Sequence, residues 1–207
     1  MIDATEGVTA LDAHIAGYAH ESGRSVIIVV NKWDLVSQPP DSQARRATVR
    51  PRPMTFRAQK MRHDQPLPGG NDGRPADRNL YEQQVRHELK FLAYAPVIFV
   101  SASQGKNVDK LFPLIAQVAA ERRKRIPTGE MNRFLATIDF DRASVPSSRR
   151  VRILYMTQVA TAPPTFVLFT DRAVKLHFSY ERFVENQIRR AFGFAGSPIW
   201  IKTRARS

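Results

Sequence analysis

The 207-residue chain is 43% hydrophobic, contains no cysteine and carries a formal net charge of +13. That length and apolar content support one or two domains with a real core, while the missing thiols exclude disulfides and thiolate metal sites and suit a reducing compartment. The apolar run Val26–Val30 is far too short to span a bilayer, and the acidic residues after Met1 lack the basic and apolar pattern of a secretory signal. The expectation is a soluble cytoplasmic protein with no membrane partner.

In chain order, the spacing of Leu11, Ile15 and Tyr18 predicts a helix over 9–18, closed by the glycine of Glu21-Ser22-Gly23. Val26–Val30 follows as a buried strand, and Pro96–Val100 as a second, both continuously apolar as parallel strands are. Val108, Leu111, Phe112, Ile115 and Val118 predict one helix face. The β-α-β-α order implies right-handed crossovers and a parallel sheet. Residues 37–80 break the pattern: prolines, glycines and arginines dominate, and few apolar residues offset the entropy of ordering them. They read as a disordered or loosely ordered basic insertion.

The last third is α+β. Thr128 is placed to cap a helix with Met131, Leu135 and Ile138 on its apolar stripe. Val151, Ile153, Tyr155, Thr157 and Val159 alternate with Arg150, Arg152 and Gln158, predicting a half-buried strand with the first set inward. A turn at Ala162-Pro163-Pro164 leads into a strand over 165–170. Ser179 then starts a helix whose Tyr180, Phe183, Val184, Ile188 and Phe192 share one face, with Gly193 at its C-terminal cap. Pro198–Ile201 closes a small sheet with two helices on one face. The predicted fold class is therefore α/β, a partial parallel sheet with helices, followed by an α+β domain; the expected division is 1–126 and 127–207.

Charge is placed unevenly. Residues 1–37 hold two basic and five acidic side chains, residues 38–80 nine and four, and residues 126–207 thirteen and six, with Arg122-Arg123-Lys124-Arg125 between. Such a field favours a polyanion, most simply RNA, through phosphate neutralisation and counterion release.

Asn31-Lys32-Trp33-Asp34 directly follows the first predicted strand. A carboxylate at its fourth position can accept from the N1–H and N2–H₂ donors of guanine, a pair that adenine lacks. Asn31 can bridge the base to neighbouring loops, and the stem of Lys32 can cover the base plane. After the second strand stands Ser101-Ala102-Ser103, whose backbone N–H groups, chiefly that of Ala102, can reach guanine O6. The phosphate half of such a site does not occur in these residues. The only Gly-Lys pair is Gly105-Lys106, with Val100 where a phosphate loop needs its first glycine, and no Asp-x-x-Gly exists. Base contacts alone, a few charge-assisted hydrogen bonds of about 1.5–3 kcal/mol each, correspond to affinities of roughly tens of micromolar to millimolar.

These residues resemble the C-terminal part of the Der (EngA) family of GTPases, in which two tandem G domains precede a KH-like domain. Asp3-Ala4-Thr5-Glu6-Gly7-Val8-Thr9, Ile15-Ala16-Gly17-Tyr18, the two loops above, Thr157-Gln158-Val159, the Pro163–Phe169 and His177–Phe183 runs, and Arg190-Ala191-Phe192-Gly193-Phe194 carry the resemblance. It implies the rear half of a second, P-loop-type G domain over 1–126 and a KH-like domain over 127–207. It also implies a guanine site at Asn31, Lys32, Asp34, Ser101, Ala102 and Ser103 for GTP or GDP, held weakly or not at all by these residues alone, with Mg²⁺ only in a complete G domain. The implied role is ribosome biogenesis, with rRNA of the large subunit and the missing N-terminal G-domain segments as partners. The chain is expected to be a fragment or mis-started copy of a longer protein, and a truncated sheet to leave Val26–Val30 as an exposed apolar edge.

For RNA, Gly193-Phe194-Ala195-Gly196 and Gly70-Asn71-Asp72-Gly73 fit the G-x-x-G string of KH loops but read as turns. Arg149, Arg150, Arg152, Arg189 and Arg190 are the candidate phosphate contacts. None of the five histidines has metal spacing, and no catalytic residue is assigned. Two readings stay open: part of a GTPase whose enzymatic half lies upstream, or a stand-alone basic RNA- or ribosome-binding module with a vestigial guanine pocket.

Overall fold

The structure, a computed structural model, describes residues 1–37, 76–140, 151–173 and 176–205. The predicted insertion falls almost wholly outside these residues, as do Arg149 and Arg150. The chain forms two compact units whose segments interleave, Met1–Ile15, Ile28–Ala93 and Val97–Leu111 in one, Ala16–Ile27, Tyr94–Pro96 and Phe112–Ser207 in the other.

The first unit is built on a parallel sheet. β1 (Ile2–Asp3), β2 (Ile28–Asn31) and β3 (Val97–Phe99) lie in that order, with Ile2 opposite Val30 and Val30 opposite Phe99. β2 is therefore central, with β1 pairing only Val30 and Asn31 on one side, and Ile28 and Val30 are buried. A short helix α2 (Trp33–Val36) follows β2. The helix α3 (Arg78–Glu88) escaped the sequence reading. Asp77 caps it by accepting from the N–H groups of Asn79 and Leu80, and it buries Tyr81 and Val85. Tyr81, Trp33 and Phe99 meet edge to face, with centroids 4.6–6.1 Å apart. The Tyr81 hydroxyl donates to the Ala4 carbonyl at 3.1 Å, and burial pushes its pKa up to about 12.

Helix α1 (Ala10–Glu21) starts where expected, because Thr9 and Asp12 cap each other reciprocally. It buries none of its residues: Leu11 is 67% and Tyr18 74% exposed, with Ile15 between them. Helix α4 (Leu111–Arg123) likewise buries Val118 but leaves Phe112 and Ile115 exposed. Both apolar stripes exist as the spacing predicts; no described residue covers Leu11, Ile15 and Tyr18 or Phe112 and Ile115.

The second unit contains α5 (Thr128–Thr137), the antiparallel pair β4 (Ile153–Thr161) and β5 (Pro164–Thr170), α6 (Phe178–Phe192) and β6 (Trp200–Ala205), which runs parallel to β5. Met131 and Leu135 of α5 and Tyr180, Val184, Ile188 and Phe192 of α6 close over Met156, Phe166 and Leu168, with Phe194 and Ile199 completing the core. Helix α5 also masks the free edge of β4: Asn132 accepts from the Met156 N–H at 2.9 Å and donates to its carbonyl at 3.2 Å. Two local expectations fail. Thr128 is the first helical residue, not the cap, which is Pro127. α6 starts at Phe178, one residue before Ser179, and His177 caps it, its Nδ1 accepting from the Ser179 N–H.

The larger correction is the face of β4. Register shifts between Ile153 and Tyr155 and between Gln158 and Ala160 each insert a residue into the strand. Between these bulges the phase inverts. Met156 and Gln158 point into the core, while Tyr155 and Val159 are exposed. Buried Gln158 accepts from the Ile126 N–H at 2.8 Å and donates to the carbonyls of Lys124 and Ala160.

Candidate functional site

In the first unit β2 and β3 end side by side, which brings the two predicted loops together. Lys32 takes a left-handed conformation, φ 59° and ψ 29°, and turns the chain from β2 into α2. The Trp33 N–H then donates to the Val100 carbonyl at 3.1 Å, and Asn31 Oδ1 accepts from the Ala102 N–H at 3.0 Å. The second loop folds back through paired backbone bonds between Ser101 and Lys106, and Asn107 ties it to the Phe99 carbonyl. Ser101 is buried, its hydroxyl 3.3 Å from that of Ser103, while Ala102 and Ser103 stay exposed.

Asp34 sits between these loops, 8% exposed. Its Oδ2 accepts from the Gln104 side-chain amide at 3.0 Å. Its Oδ1 is buried without a hydrogen-bond partner among the described residues. A bare carboxylate oxygen in such a place is costly unless a donor arrives, and the N–H edge of guanine is a donor of the right kind. Lys32 Nζ forms an ion pair with Asp3 Oδ2 at 2.5 Å, which fixes the lysine stem beside the loop. That lysine, with the N–H and hydroxyl of Thr5, holds the Asp3 carboxyl at about 2 and raises Lys32 in turn.

All six predicted guanine-loop residues therefore converge. Two details differ from the reading of the sequence. The Ala102 N–H, expected to face guanine O6, is engaged by Asn31. Gln104, which spacing did not single out, holds one oxygen of Asp34; only its place three residues after Ser101 could have suggested it.

The basic residues separate into spent and available. Arg189 was expected to contact phosphate, but its guanidinium is consumed within the second unit. It bonds Glu185 Oε1 at 2.8–3.0 Å and the carbonyls of Phe194 and Ser197, and lies 4.5 Å over the Tyr94 ring. Arg122 donates to the Gly23 carbonyl and Lys124 to that of Phe192, so part of the 122–125 charge run is structural too. Arg152 and Arg190 are exposed. Among the described residues no helix is long and apolar enough to cross a membrane.

A three-stranded parallel sheet with helices, followed by a helix-flanked mixed sheet, describes an α/β unit ahead of a KH-like domain. Comparison with known sequences agrees. Residues 125–204 match the family described as the KH-domain-like C-terminal part of EngA bacterial GTPase enzymes. GTPase Der of Leuconostoc mesenteroides is 39% identical over 207 residues, all of this chain and 39% of that protein. GTPase Der of Syntrophotalea carbinolica is 38% identical with the same coverage, and that of Moorella thermoacetica 41% identical over 96% of this chain and 38% of its own. Along its whole length the chain matches a C-terminal portion of GTPase Der, and it spans about two fifths of the length of these relatives.

Proposed function

We propose that residues 1–126 supply the guanine-reading half of a Der-type GTP-binding protein, and that residues 127–207 form a KH-like domain contacting rRNA during assembly of the large ribosomal subunit in the cytoplasm. The observation that carries this is Asp34: a buried carboxylate with one bare oxygen, set between two loops that Asn31 ties together. In this reading Asp34 accepts from guanine N1–H and N2–H₂, Asn31 bridges base and loop, and Lys32, anchored by Asp3, lies against the base. Phosphate and Mg²⁺ binding, and hence GTP hydrolysis, belong to a glycine-rich loop and magnesium ligands that these 207 residues do not contain. Arg152 and Arg190 are the proposed phosphate contacts for RNA; Arg189 is withdrawn from that role.

The test exploits xanthine, which carries a carbonyl where guanine carries its C2 amine. Asp34→Asn replaces an acceptor with a donor at that point. The variant is expected to lose guanine nucleotide by about tenfold or more and to gain xanthine nucleotide. Unchanged discrimination overturns the site. One observation favours the alternative, a stand-alone RNA- or ribosome-binding module with a vestigial pocket: the Gln104 amide already occupies one oxygen of Asp34. That reading predicts no guanine preference in the unaltered chain.

A further inference from the structure

The open face of the second sheet carries a pattern that the guanine loops and the arginines above do not use. Between its bulges β4 turns Tyr155 and Thr157 outward, and the register sets them in two cross-strand rows, Tyr155–Phe169–Arg204 and Thr157–Val167–Lys202. Tyr155 and Phe169 lie face to face, with centroids 4.1 Å apart and planes within 10°. Tyr155 is 37% exposed and Phe169 half-buried, while Lys202 and Arg204 are exposed. The three strands contain no acidic residue, and Asp171 lies just past the end of β5. At the other end of the face Trp200, 38% exposed and in the row of buried Thr165, packs so tightly on Gly23 that a Cβ there would stand 2.8 Å from its ring. The patch is aromatic on one side and cationic on the other.

An apolar partner would match the rings but desolvate two cations that no described residue pairs. An acidic peptide would match the cations and leave the stacked rings unused. Single-stranded nucleic acid offers a π-face and a phosphate at every nucleotide, and a sheet face with exposed aromatics is a surface on which unpaired bases stack. We infer that this patch binds single-stranded RNA, with an unpaired base on the Tyr155–Phe169 pair and phosphates on Lys202 and Arg204. The inference rests on the RNA reading above and names a surface apart from Arg190.

The experiment is fluorescence anisotropy of the 207-residue chain with a labelled uridine-rich 12-nucleotide RNA and with a 12-base-pair RNA duplex, across a salt series. The single strand is expected to bind more tightly. Tyr155→Ala should weaken it by about 10- to 100-fold and leave the duplex nearly unaffected. Lys202→Glu and Arg204→Glu should each reduce the salt slope by about 0.7. Cross-linking of the unaltered chain to the single strand by ultraviolet light, independent of any folding defect in a variant, should map to Tyr155 or Phe169. If the sheet variants bind like the unaltered chain while Arg190→Glu does not, or cross-links fall only elsewhere, the patch is overturned and the RNA reading stands. If the unaltered chain binds no RNA at low salt, both fail. If the sheet variants change only the sedimenting mass, the occupant is a second copy of the chain and the inference fails.

Discussion

In the first unit, a pair of short loops at the ends of adjacent parallel strands carries the candidate chemistry; in the second, residues spread over three strands carry it. The contrast lies in what fixes each side chain. Asn31 and Asp34 are set by the tight turn at Lys32, a local geometry, and then tied to Ala102 and Gln104 of the second loop. Tyr155, Gln158 and Phe169 are positioned by bulges and by register across strands, which nothing local determines. The meeting of the two loops was accordingly legible from the order of strands and loops, whereas the second sheet showed its strands but not its faces.

The strongest way to break this comparison is through the second core, which should behave as a closed, cooperative unit. Phe166 is fully buried against Phe194 at a centroid distance of 5.7 Å. Phe166→Ala is expected to cost about 3–5 kcal/mol, measured by urea unfolding followed by far-ultraviolet circular dichroism. The inverted phase of β4 gives a sharper contrast between neighbours. Gln158→Leu should cost about 1–3 kcal/mol by leaving the Ile126 N–H without an acceptor, while Val159→Ala should stay within about 0.5 kcal/mol. The simple alternation read from the sequence predicts the reverse order.

In the first unit, Asn31→Ala removes the acceptor for the Ala102 N–H and the bridge to the base. It should weaken guanine nucleotide by about tenfold with little change in unfolding midpoint. Gln104→Ala is expected to change that affinity only about two- to threefold, read by the same titration; a larger gain would mean the glutamine competes with the base. The smallest effect concerns Asp3. Its folded pKa is depressed from 3.8 to about 2 by the Lys32 hydrogen bond and then Thr5. The stabilisation from this pair is present above the unfolded value and is lost as pH falls through the folded one. The Lys32 amide resonance should therefore shift between pH 4 and 2 and stay constant from 4 to 7.

What the sequence concealed has physical causes. The helix α3 has a mostly polar sequence, and its cap Asp77 stands at the end of a glycine- and proline-rich run that signals a loop. Arg189 and Arg190 are indistinguishable by composition, yet one packs against Tyr94, Glu185 and two carbonyls while the other faces solvent. The stripes Leu11–Ile15–Tyr18 and Phe112–Ile115 show the opposite case: periodicity correctly identifies an apolar face and says nothing about whether a layer covers it.

The most direct test of the central claim is a nuclear magnetic resonance titration of the ¹⁵N-labelled chain with guanosine monophosphate and, in parallel, adenosine monophosphate. The account predicts that the guanine nucleotide alone shifts the Ala102 backbone and Gln104 side-chain amides, with a dissociation constant of roughly tens of micromolar to millimolar. Equal shifts with both nucleotides, or none with either at millimolar concentration, would contradict it.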